Sequence, residues 1–161
     1  MSRAEAETGR RAFRAILWCA AIAVLIAQLV RPVRSNPGVS GNLSAPPVVK
    51  DALTRACYDC HSNQTQWPWY SAVAPFSWWI HYEVDEGRRR LNFSAWTDYT
   101  SDPGTEDQKL DEIGRLIANH AMPPWYYLAM HPRARLTPAE RDAITRWIAD
   151  AKSSPAAASP R

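Results

Sequence analysis

The stretch Cys57-Tyr58-Asp59-Cys60-His61 constrains this chain more than any other. Two thiols separated by two residues fit on one helical turn, and an imidazole follows the second directly. The same spacing also suits a redox dithiol or half of a zinc site. A thioredoxin-like dithiol belongs to a βαβ pattern, whereas the residues before Cys57 have helical spacing and β-branched runs are scarce. Structural zinc takes four ligands, and His81, His120 and His131 are scattered with no short-spaced pair among them. The histidine after Cys60 points instead to covalent attachment of one c-type haem. On that reading Cys57 and Cys60 bind the two vinyl groups, and His61 is the proximal ligand of the iron.

The chain's 161 residues leave room for one domain and some extras. The formal charge of +3 comes from the N-terminal end. Residues 1–34 hold six arginines against Glu5 and Glu7, while from Ser35 onward thirteen Lys/Arg face fourteen Asp/Glu. No basic field suited to nucleic acid remains. Eight tryptophans are many for this length and suit the packing of something large and flat.

Arg10, Arg11 and Arg14 precede Ala15–Val30, an uncharged run whose one polar residue is Gln28. As a helix it covers about 24 Å, a little short of a hydrocarbon layer of ~30 Å. Residues 1–31 are therefore predicted as a retained signal-anchor, a transmembrane helix. A cleavage site is disfavoured because the run ends without suitable small residues. Cys19, inside the run, reads as an inert small hydrophobe. Haem is attached outside the cytoplasm, so the prediction is a single-pass protein of the bacterial cytoplasmic membrane with its haem domain facing the periplasm.

Residues 32–47, rich in Pro, Gly and Ser, read as an extended linker. Residues 48–152 read as the haem domain and 153–161 as a disordered tail. Within the domain, Val48, Val49, Ala52, Leu53 and Ala56 recur at helical spacing and lead into Cys57. Ser77 is a plausible N-cap for a helix that Gly87 ends, with Trp78, Ile80/His81 and Val84 on its buried side. Arg88-Arg89-Arg90 reads as a solvated face. Thr105 and Gln108 suit a capping box before a helix that buries Leu110, Ile113, Leu116 and Ile117. Thr137-Pro138-Ala139-Glu140 opens a last helix with Ala143, Ile144, Trp147 and Ile148 on its apolar stripe.

Between those last two helices lies Ala121-Met122-Pro123-Pro124. Proline after methionine stops a helix and stiffens the loop, so Met122 is the predicted distal ligand of the iron. Met130, His131, His81 and His120 compete for that position.

These residues together resemble a bacterial haem-binding domain family of small, membrane-anchored c-type proteins. The resemblance rests on Cys57–Thr65, Trp67-Pro68-Trp69-Tyr70-Ser71, Glu86-Gly87-Arg88 and Leu91-Asn92-Phe93-Ser94. It extends through Met122-Pro123-Pro124, His131 and Leu136-Thr137. It implies an all-α, cytochrome-c-like helical domain around one covalent haem c. The Cys57–His61 motif, followed by Met122 on a proline-stiffened loop, predicts one-electron transfer by a membrane-tethered monohaem cytochrome that meets redox partner proteins, an electron carrier more than an enzyme. The alternatives are a haem sensor or peroxidase-like enzyme with a labile sixth ligand, and an accessory haem subunit of a larger redox complex.

Overall fold

The computed structural model describes residues 3–153. The tail predicted for 153–161 lies, from residue 154 onward, outside the described residues. The architecture is all-α, with no strand among the described residues. Among the described residues eight helices follow in order: α1 (Arg3–Ala27), α2 (Pro47–Ala56), α3 (Tyr58–His61), α4 (Phe76–Arg90), α5 (Thr97–Thr100), α6 (Pro103–Ala118), α7 (Trp125–Met130) and α8 (Pro138–Ser153). Short 3-10 turns span Trp69–Ala72 and Pro132–Ala134. The chain divides into two units, one of residues up to Arg34 with Trp67–Tyr82, the other of Ser35–Gln66 with Glu83 onward.

In the first unit α1 corrects the predicted anchor. No helix among the described residues is long and apolar enough to cross a membrane. The reason is where α1 begins and ends. It starts at Arg3 and so carries Arg10, Arg11 and Arg14 within it, and it stops at Ala27. The uncharged helical part, Ala15–Ala27, covers only about 20 Å. Gln28 is occupied in ending the helix. Its amide accepts from Ala74 N–H at 3.0 Å and donates to Ala74 C=O at 3.2 Å, and also to Val24 C=O at 3.0 Å. The prediction of a single-pass membrane protein facing the periplasm is therefore overturned. Elsewhere in this unit Trp78 Nε1 donates to Val30 C=O, which leaves its ring 40% exposed instead of buried.

The second unit holds the core. α2 begins with proline at its first position, where no N–H is needed. It buries Val49, Ala52, Leu53 and Ala56, while Val48 faces outward. This face packs on α8, which in turn packs on α6, so that Ile144 and Ile148 meet Leu110, Ile113 and Ile117 in one cluster. Leu43, from the irregular segment before α2, is buried in the same cluster. The start of α6 differs from the predicted capping box. Asp102 is the N-cap, accepting from Gly104 N–H at 3.2 Å and the Thr105 hydroxyl at 2.7 Å. α8 starts as predicted, with Glu140 accepting from Thr137 N–H at 2.8 Å and Thr137 Oγ1 accepting from Glu140 N–H at 3.2 Å. Arg55 of α2 pairs with the same carboxylate and so ties α2 to the entrance of α8.

α6 ends in a Schellman motif. Ala121 N–H donates to Leu116 C=O at 3.0 Å and His120 N–H to Ile117 C=O at 3.2 Å. His120 takes the left-handed position of that motif, at φ 54°. A β-carbon there costs about 1–2 kcal/mol, of which glycine's larger unfolded-state entropy returns about 0.5–1 kcal/mol. His120→Gly should thus stabilise the protein by roughly 0.5–1 kcal/mol. A thermal denaturation curve should show Tm raised by a few degrees; an unchanged or lowered Tm would contradict the motif.

Glu140 gives a second prediction. The Thr137 N–H, then the Thr137 hydroxyl and the Arg55 guanidinium, hold its carboxyl below the ordinary glutamate range, against the opposing effect of burial. A carboxyl lowered in the folded state adds stability above its unfolded pKa, and that stability is lost as pH falls through the folded value. Glu140→Gln should therefore lower Tm at neutral pH, with the gap to wild type closing as the pH is taken below the carboxylate range. A gap independent of pH would count against this.

Candidate functional site

Cys57 ends α2 and caps α3 at once. Its N–H donates to Leu53 C=O at 2.8 Å, and its own C=O accepts from Cys60 N–H at 3.2 Å and His61 N–H at 2.9 Å. This single turn brings both thiols and the imidazole to one wall. The segment after it is fastened to the residues that follow α4. Phe93 N–H donates to His61 C=O at 2.8 Å, Asn63 N–H to Ser94 Oγ at 3.1 Å, and Asn92 Nδ2 to Asn63 Oδ1 at 2.9 Å. Two stretches that sequence similarity marks, 57–65 and 91–94, are thus one interlocked piece. Arg88 completes it, donating to Ser62 C=O at 2.8 Å, Thr65 Oγ1 at 2.8 Å and Asn36 Oδ1 at 3.0 Å. Within the run read as a solvated face, Arg88 is a clamp, while Arg89 and Arg90 pair with Glu86. Gly87, taken as a helix terminator, lies inside α4, which runs on to Arg90.

The second unit contains a cleft of about 360 Å³ onto which Cys57, Cys60, His61 and Met122 all open. That volume falls in the range of small-molecule and cofactor sites. Ala56, Leu91, Phe93, Ile113, Leu116 and Ile117 make its surface largely apolar. Phe93 is the innermost of these, 1% exposed, and stacks on Tyr58 at 5.1 Å between ring centroids and on Trp96 at 6.0 Å. Met122 arrives from the Schellman turn after α6, and Pro123 and Pro124 follow it along the cleft, the Met122–Pro123 peptide being cis.

His61 is held with one nitrogen engaged. Its Nδ1 lies 2.9 Å from Gly87 C=O and 3.2 Å from Leu91 C=O. Carbonyls only accept, so the proton must be on Nδ1, and in the neutral ring Nε2 then bears the lone pair. Burial lowers the pKa of His61, although the Leu91 and Gly87 carbonyls act the other way. A neutral imidazole with Nδ1–H tied to a backbone carbonyl is the form in which histidine ligates a metal. Burial pushes both thiols up to about 12, with Cys60 adding to the effect at Cys57 and Asp59 and Glu83 at Cys60, where Arg88 opposes it. They are therefore neutral thiols. The residues present thus fit a flat, apolar, iron-bearing macrocycle: two adjacent thiols, one oriented imidazole and one thioether around an apolar slot.

Two tyrosines line the cleft that sequence reasoning passed over. Tyr127 Oη donates to Asp59 Oδ2 at 2.7 Å and Tyr126 Oη to Glu83 Oε2 at 3.0 Å. Burial first, then those carboxylates, raises both phenols, Tyr126 to about 12. Asp59 also accepts from Gln66 N–H at 2.9 Å, so the residue between the thiols anchors the loop on one side and α7 on the other. The rivals of Met122 are not on the cleft. Met130 is 60% exposed on α7, His131 stacks on Tyr127 at 4.2 Å, and His120 is exposed in the Schellman turn. His81 belongs to the other unit, stacked on Trp67 at 4.5 Å. The aromatic residues around α7 offered one available signal, since Trp125-Tyr126-Tyr127 directly follows Met122-Pro123-Pro124.

No curated protein and no solved structure matches this chain at a significant level. A family model described as a haem-binding domain matches residues 20–150, which include the whole of the cleft and the motif that opens onto it. The chain belongs to the haem-binding domain family.

Proposed function

We propose that the cleft holds a single haem c, attached through Cys57 and Cys60 and ligated by His61 and Met122, and that the protein is a one-electron carrier. The observation that carries this reading is the convergence of four side chains, from two segments far apart in sequence, on one apolar cleft. The motif follows a helix, α2, that packs on the last helix, α8, an arrangement in keeping with a cytochrome-c-like domain. When bound, haem c supplies a one-electron iron couple.

Each chain element has its part. Cys57 and Cys60 would hold the macrocycle by thioether bonds, for which two neutral thiols separated by two residues on one turn are suitably placed. His61 presents Nε2 while α4 holds Nδ1. Met122 offers a soft neutral sulfur, which favours the reduced state relative to a second nitrogen or oxygen ligand. Its position before two prolines limits how far it can move when the charge on the iron changes. The apolar walls exclude water and keep the coordination closed, as suits transfer of an electron without exchange of ligands. Partners of this carrier are other redox proteins. We assign residues 48–152 to the haem domain and 32–47 to the segment leading into it.

A visible spectrum taken across a redox titration tests the reading. The wild-type chain should show a low-spin haem c that cycles reversibly by one electron. Met122→Ala should lose the methionine-ligated ferric signature and shift to lower potential, whereas Met130→Ala should do neither. Rapid binding of carbon monoxide by reduced wild-type protein, or an unchanged ligand field in Met122→Ala, would contradict a closed carrier with this ligand.

A further inference from the structure

We propose that Gly87 is a positioning residue for the iron-binding imidazole: having no side chain, it lets α4 approach the Cys57–His61 turn closely enough for its carbonyl to hold His61 Nδ1. The proposal rests on the haem reading of the cleft. A β-carbon at position 87 would stand 2.5 Å from Cys60 O, 3.0 Å from Cys60 C and 3.1 Å from Cys60 Cβ. The first two are backbone atoms, and the turn that carries them is bonded on both sides, so they cannot swing aside as a side-chain tip would.

Backbone conformation does not call for glycine here. No described glycine has a positive φ, and Gly87 lies within a continuous helix. Glycine inside a helix is destabilising relative to alanine, so its use at this place is explained by closeness. Gly114 of α6 makes the contrast: a β-carbon there would meet Ile148 Cδ1 at 3.5 Å, an ordinary contact. Leu91, the residue after α4, donates its N–H to Gly87 C=O at 2.9 Å, so the two carbonyls stand one turn apart in the same column and both reach the one nitrogen. An imidazole that donates to carbonyls is the more basic ligand through its other nitrogen, and a more basic ligand stabilises the oxidised iron. Gly87 would therefore help to set the potential as well as the ring orientation.

The test compares haem-loaded wild type, Gly87→Ala and Gly114→Ala. Three readouts are taken: covalent haem content, reduction potential, and solvent exchange of the His61 Nδ1 proton by nitrogen-edited NMR on the reduced protein. Gly87→Ala should shift to higher potential. Its Nδ1 proton should exchange faster by roughly five- to tenfold, the ratio that one hydrogen bond of ordinary net strength is worth. Gly114→Ala should match wild type in both. Equal potentials and equal exchange in Gly87→Ala and wild type, with haem attached in each, would overturn the role of the glycine alone. Wild type without covalent haem would overturn the reading of the cleft and this inference with it. If Gly87→Ala yields too little haem protein for these readings, covalent haem content decides: its loss in Gly87→Ala but not in Gly114→Ala supports the proposal, and equal loss in both overturns it.

Discussion

A four-residue helix has no stability of its own in water, so the turn that carries both thiols and the imidazole depends on what is bonded around it. Three sets of bonds do this. α2 feeds it with a hydrogen-bonded helix end at Cys57. The Asn63, Asn92 and Ser94 network fastens the chain just beyond it. α4 supplies the Gly87 carbonyl to the ring of His61 and the Arg88 guanidinium to Ser62 C=O, and Leu91, just past its end, supplies a second carbonyl to the ring. These polar contacts replace the packing that so short a helix cannot provide, and they fix direction as well as position. A histidine merely adjacent to a pair of cysteines has many rotamers; this one has its Nδ1 committed.

The cleft beside the turn follows from the same arrangement. Its walls come from α2, α6 and the segment after α4, all of which are in the one core cluster of α2, α6 and α8. Several polar groups that reach it are partnered, Tyr127 with Asp59, Tyr126 with Glu83 and Arg90 with Glu86, while Glu112 and Arg115 also line it. An apolar slot with few uncommitted charges favours a large flat ligand over a small polar one, and it lowers the local dielectric in which a neutral thioether and a neutral imidazole are suitable ligands.

Much of this was legible in the sequence, because it depends on local pattern. The Cys57–His61 spacing, the apolar period of 48–56, the Thr137–Glu140 helix start and the proline after Met122 each act within a few residues. The boundary of α1 was not legible, since hydropathy alone continues to Val30, whereas the helix ends where the Gln28 amide pairs with Ala74, forty-six residues away. Gly87 is a related case. Glycine near the end of an apolar period signals a helix stop, and only the approach of Cys60 in space shows another use for it. The burial of Leu43, the clamp made by Arg88 and the Tyr127–Asp59 bond are likewise long-range, and a single sequence carries no mark of them. Asp102 taking the N-cap ahead of Thr105 was a local choice between two good caps, settled by Pro103 at the first helical position.

The central claim is that Cys57 and Cys60 carry haem by covalent bonds, and the mass of the intact chain under denaturing, reducing conditions tests it most directly. The account predicts a chain heavier by one haem, with the added mass on the peptide that contains Cys57 and Cys60 and lost from the Cys57→Ala/Cys60→Ala double variant. A chain of unmodified mass that releases its haem on denaturation, or one whose two thiols remain open to alkylation, would contradict it.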